Sequence, residues 1–238
     1  MSSREGTYPF TENRILSRLP RADYERLRAR LDPVRLPRGR ILFEEGEIPH
    51  HAYFLAGGMV SLLAATADGS TVQVAMVGGE GAVSVPALLG AGFMPYRVVV
   101  QLPGTALRIG AAALGAEFNH GGPLHDLLLR YLHTLITQIT QSALCNRYHT
   151  IEERLCRWLL ISRDRALSDL LELTQESLAH MLGSQRTGVT AAAVALQRKG
   201  FITYRRGKIR LLDRRGLEET SCECYGVITR GINQYLAA

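Results

Sequence analysis

The side chains best suited to chemistry lie near the C-terminal end of the chain. Between Ser184 and Leu212 seven residues are basic and none is acidic. A cationic run this dense attracts a polyanion, nucleic acid foremost. Ser184, Gln185, Thr187 and Thr190 surround Arg186 at its start, and Arg205, Arg206 and Lys208 cluster near its end. Enzyme chemistry is poorly supplied by comparison. The chain holds no G-x-S-x-G, no P-loop and no H-E-x-x-H. His50 and His51 are adjacent, so on a strand they point to opposite faces and cannot share a metal as a cupin-type oxygenase requires. The chain is therefore expected not to be an enzyme. Cys222 and Cys224 stand one residue apart and could oxidise or bind a soft metal. Two ligands do not complete a tetrahedral zinc site. They are read as packing residues, as are Cys145 and Cys156 on helical patterns, and no metal is expected.

These side chains need elements to hold them. Thr174 caps a short helix over Gln175–Leu182, and Gly183 suits the left-handed turn that ends it. A second helix runs from Ser184 to Gly200 with Val189, Ala192, Ala193 and Leu196 inward. Helix, tight glycine turn and helix is helix-turn-helix spacing. Phe201–Tyr204 and Lys208–Leu212 then form a basic hairpin, or wing, through Arg205-Arg206-Gly207. A further helix is expected within Gly216–Leu236.

Upstream the texture differs. Leu16, Leu19, Leu27 and Leu31 mark short helices divided by Pro20. From Pro33 to Phe118 short β-like runs appear: Ile41–Phe43, Ala52–Leu55, Met59–Ala64, Thr71–Met76, Arg97–Gln101 and Ala106–Ile109. Gly and Pro divide them, and Asp68-Gly69 is a hairpin signal. Such spacing predicts a small jelly-roll. After Gly121-Gly122-Pro123 a helix begins. Leu128, Leu132, Leu135, Ile139, Ser142 and Asn146 recur on it at a/d spacing, which predicts a dimer seam. Another helix follows over Ile151–Ile161 with Trp158.

Composition agrees with a folded chain whose basic charge is concentrated in its C-terminal part. The hydrophobic fraction is 46% and the charged fraction 21%, which excludes a disordered protein. The net charge is +6. Residues 1–146 carry 13 basic and 12 acidic side chains, whereas residues 147–238 carry 15 and 10. No apolar run approaches a membrane span of about 18 residues. The stretch MSSREGTYPF lacks an apolar signal core, so a cytoplasmic location, free of membrane, is expected.

In this order the motifs resemble the cyclic-AMP receptor protein / fumarate-nitrate regulator (Crp/Fnr) superfamily of bacterial transcription factors. The likeness covers nearly the whole chain. It runs through L-P-R-G-R-I-L-F-E-E-G-E, H-A-Y-F-L-A-G-G-M-V-S-L and G-G-E-G, then L-T-Q-E-S-L-A-H-M-L-G-S-Q-R-T-G-V-T and L-Q-R-K-G-F-I-T-Y-R-R-G-K-I. It implies an α+β chain: an N-terminal double-stranded β-helix (jelly-roll) sensor domain over 1–121, a long dimerisation helix over 122–150 and a winged helix-turn-helix domain over 151–238. It also implies a homodimer on a near-palindromic double-stranded DNA operator, switched through the β-roll, with RNA polymerase as a further partner where transcription is activated. The rival reading is a ligand-binding module that acts through a protein partner.

The resemblance assigns roles by position. Arg186 occupies the base-reading arginine position, and a guanidinium there bonds guanine O6 and N7 together. Gln185 would read adenine or touch phosphate. Ser184, Thr187 and Thr190 would touch phosphate. Arg205, Arg206 and Lys208 on the wing would neutralise phosphates, and Thr174 and Gln175 would hold another at a helix N-terminus. Thr187 stands where the cyclic-AMP receptor type has a glutamate and Ala191 where it has a second arginine, which implies a different operator. For the effector, Gly79 and Glu80 match the Gly-Glu pair that takes the ribose. Met94 and Pro95 replace the Arg-Ser pair that takes the phosphate, Arg97 is three residues late, and Ser142 falls where the long helix would touch the base. Cyclic AMP is therefore not the expected effector: the pocket either takes another small molecule or is vestigial. No cysteine precedes Cys145, which excludes the N-terminal iron–sulfur cluster of the oxygen-sensing type.

Overall fold

The computed structural model describes residues 13–90 and 92–237. The N-terminal stretch on which the cytoplasmic expectation rests lies outside them. A turn of 3-10 helix at Leu16–Arg18 and α1 (Arg21–Arg28) lead into eight strands. These are β1 (Asp32–Leu36), β2 (Ile41–Phe43), β3 (His51–Leu55), β4 (Met59–Ala65), β5 (Thr71–Val77), β6 (Ala82–Val83), β7 (Arg97–Leu102) and β8 (Gly104–Gly110). They pair antiparallel into two four-stranded sheets, ordered β1-β8-β3-β6 and β2-β7-β4-β5, which is the expected roll. The six strands expected from sequence are present within one or two residues at their ends. β1 and β6 were not expected. The Asp68-Gly69 signal holds: β4 and β5 pair from Val60↔Val77 to Ala65↔Thr71, and Gly69 turns the chain at φ +85°.

Helices follow: α2 (Ala111–Asn119), α3 (Pro123–Tyr148) and α4 (Ile151–Ala166). A capping box makes the corner between the last two. Thr150 Oγ1 accepts from the Glu153 amide, and the Glu153 carboxylate accepts from the Thr150 amide at 2.7 Å. The remainder is β9 (Leu170–Glu172), α5 (Gln175–Leu182), α6 (Arg186–Arg198), β10 (Ile202–Arg205), β11 (Lys208–Leu211), α7 (Arg214–Thr220) and α8 (Cys224–Ala237). β9 joins the wing to make a three-stranded sheet, β10-β11-β9. The segment expected as one helix past the wing is two, α7 and α8.

The β4–β5 pair is shared by two cores. Val60 and Leu62 point into the roll with Phe54 and Val98, while Met59 and Leu63 join Met76 and Leu102 beneath Trp158 and Leu159 of α4. A strand buried on both faces reads as a nearly continuous apolar run, as Met59–Leu63 does apart from Ser61. Two polar side chains sit inside this layer. Gln73 donates to Ser61 Oγ at 2.6 Å and accepts from the Trp158 indole N–H at 2.6 Å.

The dimer seam expected on α3 needs correction. Leu128, Leu132, Leu135 and Ser142 are buried within the chain itself, Ile139 is partly buried, and Asn146 accepts from Arg154 at 2.8 Å. The reason is α8, which folds back onto α3, with Tyr235 and Leu236 entering the same core. The apolar stripe that α3 leaves open is on its other side: Leu129, Ile136 and Leu144 are 42%, 58% and 39% exposed.

Trp158→Phe removes the indole donor and leaves a buried Gln73 oxygen unpaired. The expected loss is about 1–3 kcal/mol of unfolding free energy. Urea denaturation followed by circular dichroism measures it, and a variant as stable as the parent contradicts the bond's importance.

Candidate nucleic-acid interface and effector pocket

Helix α5 starts where the Thr174 hydroxyl accepts the Ser177 amide at 3.1 Å. It ends at Gly183, whose φ of +53° is the left-handed conformation that glycine adopts without strain. Leu178, Ala179, Met181 and Leu182 of α5 are buried beside Val189, Ala192, Ala193 and Leu196 of α6. This inward set fixes the outward one. Gln185, Arg186 and Thr187 are exposed at the start of α6. The helix begins at Arg186 rather than Ser184, with Gln185 at its N-cap. Gly188 has a packing role: a Cβ there would meet Ile151 Cδ1 of α4 at 2.5 Å.

The wing turn is tight. Arg206 and Gly207 both have positive φ, +51° and +74°, between paired Arg205 and Lys208. That is the two-residue turn whose twist matches antiparallel strands. It carries Arg206 into an open cleft of about 310 Å³ lined by Thr174, Gln175, Glu176, Arg186, Tyr204 and Gly207. Tyr204 is held there by its hydroxyl, which donates to the Leu173 carbonyl at 3.0 Å. Burial raises its pKa, against the pull of the Arg186 charge. Sequence reasoning missed Tyr204, because only the fold places it between Arg186 and Arg206. Thr190 sits deeper, its hydroxyl 3.0 Å from Gln175 Oε1 and 2.9 Å from the Arg186 carbonyl.

The expected nucleic-acid residues thus divide. Thr174, Gln175, Arg186 and Arg206 converge on one cleft, with the α5 N-terminus supplying free amides. Arg205 is exposed outside that lining, and Lys208 pairs with Glu172 of β9 at 3.0 Å. Ser184, Gln185 and Arg186 also line a second groove, of about 710 Å³, whose opposite wall is the β4–β5 hairpin from Ala64 to Val72. Val72 Cγ2 approaches so closely that a Cβ on Gly183 would lie 2.8 Å from it.

The expected effector residues are not brought together. Arg97 pairs with Glu44 on the surface at 2.6 Å. Glu80 is buried, with its carboxylate 2.8 Å from Arg165 Nε of α4. Ser142 is buried on α3. Gly79 uses its carbonyl for the Arg14 amide. The cavity beside Glu80, about 200 Å³, is walled by Arg14, Asp164, Arg165 and residues of α8 rather than by Arg97 or Ser142. Arg97, three residues past the position of the family's phosphate-binding arginine, turns outward to Glu44.

Known proteins match both halves. Residues 33–120 match the cyclic nucleotide-binding domain model, and residues 153–220 the Crp-like helix-turn-helix domain model. Together these cover well over half of the chain. No protein of curated function matches it in sequence. Among solved structures, a putative transcriptional regulator of the Crp/Fnr family from Eubacterium rectale is 16% identical, with TM-score 0.67 over 87% of this chain and 96% of that one. FixK2 from Bradyrhizobium japonicum is 15% identical, with TM-score 0.66 over 81% and 98%. The c-di-GMP responsive regulator CLP from Xanthomonas campestris is 18% identical, with TM-score 0.64 over 82% and 100%.

Two substitutions separate base reading from phosphate binding. Arg186→Ala is expected to cost about 1–3 kcal/mol on the preferred sequence and to relax preference at one base position. Arg206→Ala is expected to weaken all sequences alike and to lower the slope of log affinity against log salt by about one unit. Fluorescence anisotropy across a salt series reads both. Unchanged affinity in both variants contradicts this docking.

Proposed function

We propose, from the premise that this chain belongs to the Crp/Fnr family of transcription regulators, that it acts as a homodimer on a near-palindromic operator and that its β-roll controls DNA affinity. The observation that carries the reading is the cleft where Arg186, Arg206 and the α5 N-terminus converge. The start of α6 enters the major groove, with Arg186 at the base edges. Arg206 and Arg205 follow the flanking phosphates. Lys208 joins them once it exchanges Glu172 for phosphate.

The dimer forms through the open stripe Leu129, Ile136 and Leu144 of α3. These residues recur at steps of seven and eight, close to the spacing of a two-helix seam. Two chains joined along it carry two α6 helices, which suits half-sites about one helical turn apart.

Control works through the β4–β5 hairpin. Docked as it is, the hairpin walls off Ser184, Gln185 and Arg186 on one side. Three contacts hold α4 in the docked position: Trp158 to Gln73, Arg165 to Glu80, and Arg165 Nη1 to Gln138 Oε1 at 3.2 Å. Gln138 in turn bonds both the amide and the carbonyl of Met76 in β5. A small molecule that takes Glu80 competes with Arg165 and loosens this latch. It shifts the population toward the DNA-competent form by its differential affinity for the two states. With Arg97 committed to Glu44, a cyclic-nucleotide phosphate lacks its cation, and this weighs against cyclic AMP as the signal.

Selection of genomic DNA fragments by the purified protein tests the regulator reading. A two-fold symmetric motif is expected, and no enrichment contradicts it. Ile136→Glu is expected to convert the dimer to monomer in analytical ultracentrifugation. Val72→Glu places a charge in the apolar hairpin contact and is expected to raise DNA affinity, about tenfold for each 1.4 kcal/mol of docking lost. A fall in affinity contradicts the latch, since a docked hairpin would then simply repel DNA.

A further inference from the structure

Far from the DNA cleft, the corner between α3 and α4 gathers four soft ligands. Cys145, His149, Cys222 and Cys224 place one ligand atom each within 4.8 Å of every other. Cys222 and Cys224 alone could not complete a site. The fold supplies the other two, one helical turn apart at the end of α3, by folding α8 back against it. We propose that these four residues form a tetrahedral Zn²⁺ site that ties the end of the dimerisation helix to the C-terminal segment.

Geometry, charge and surroundings agree. Zinc–sulfur bonds of about 2.3 Å put the edges of a tetrahedron near 3.8 Å. Cys145 and Cys222 sulfurs are 3.5 Å apart, and Cys224 Sγ lies 3.7 Å from His149 Nδ1. All three thiols are buried, as in a closed structural Cys₃His site. The histidine is oriented for the task. Its Nδ1 faces the sulfurs, while Nε2 lies 3.2 Å from the Glu223 carboxylate. A carboxylate behind a ligating imidazole fixes its tautomer and strengthens it as a donor.

The charge of the filled site also has a partner. Three thiolates around one Zn²⁺ leave a net charge of −1, which is costly to bury alone. Arg157 is buried, its Nε has no hydrogen-bond partner, and it has no ion pair among the described residues. Its charge lies close enough to act on Cys145, Cys222 and Cys224. An otherwise unpaired buried arginine therefore faces the cluster whose metal-bound form needs a cation. The filled site pins His149, the residue between α3 and the capped start of α4. That is the corner that joins the long helix to the DNA-binding half.

The test uses the full chain purified from zinc-replete cells under reducing conditions. Native mass spectrometry and elemental analysis are expected to find about one zinc per chain. Replacement by Co²⁺ is expected to give the thiolate charge-transfer and visible bands of tetrahedral cobalt. The paired substitution Cys222→Ser with Cys224→Ser is expected to lose the metal. Should that variant fold poorly, alkylation of the parent protein decides. Cys145, Cys222 and Cys224 are expected to resist the reagent until a chelator is added, while Cys156, buried elsewhere on α4, does not respond to the chelator. Absence of metal with cobalt refused, iron with inorganic sulfide, or a Cys145–Cys222 disulfide in the purified chain would each overturn the proposal.

Discussion

Burying the indole N–H of Trp158 between two halves of the chain obliges a partner for it, and Gln73 is that partner. The bond spans 85 residues of sequence and crosses from α4 to the sheet of the roll. An unpaired polar atom in this layer would cost about 1–3 kcal/mol. Gln73 in turn needs Ser61, so a chain of two hydrogen bonds fixes how α4 lies on β4 and β5. Most else follows from that seating. It sets Met59, Leu63 and Met76 against α4, brings Gly183 to Val72, and carries Arg165 to Glu80. The recognition helix is then placed by the helix on which it packs, through Gly188 against Ile151.

The Arg165–Glu80 pair shows how such a junction can be both specific and reversible. A buried ion pair adds little net stability, because desolvation offsets most of the attraction. Breaking it by removing one partner is costly, since the other charge is left buried. A ligand that replaces Arg165 at Glu80 avoids that cost and supplies the missing partner. In the proposed switch, Arg165 then leaves for solvent with the DNA-binding half. The Tyr235 hydroxyl, 2.6 Å from the Glu80 carbonyl, adds α8 to the same junction.

Much of this fold was legible in the sequence. Turn residues divided the strands of the roll, the Thr174 cap and Gly183 bounded α5, and Arg206-Gly207 marked the wing, because each signal is a local backbone requirement. The α3 stripe was legible only as a helix. Its apolar residues occupy two faces, and periodicity does not tell which face the chain covers with itself and which it offers to a partner. That depends on α8, whose return path has no local signature. The cysteines fail for the same reason: Cys145 and Cys222 are 77 residues apart and meet only through that return. Register put Met94 and Pro95 at the phosphate-binding pair, and the pairing of β7 with β2 carries Arg97, three residues on, to Glu44.

The chain's only tryptophan is the residue on which the junction turns, and it is fully buried. Its emission, excited selectively beside absorbing DNA, reports directly on whether α4 leaves the β4–β5 sheet. Titration with the selected operator should shift the emission to longer wavelength and make it accessible to a neutral quencher, in step with DNA binding. Emission that stays blue and shielded at saturating operator would contradict the latch, because DNA would then be bound with the two halves still docked.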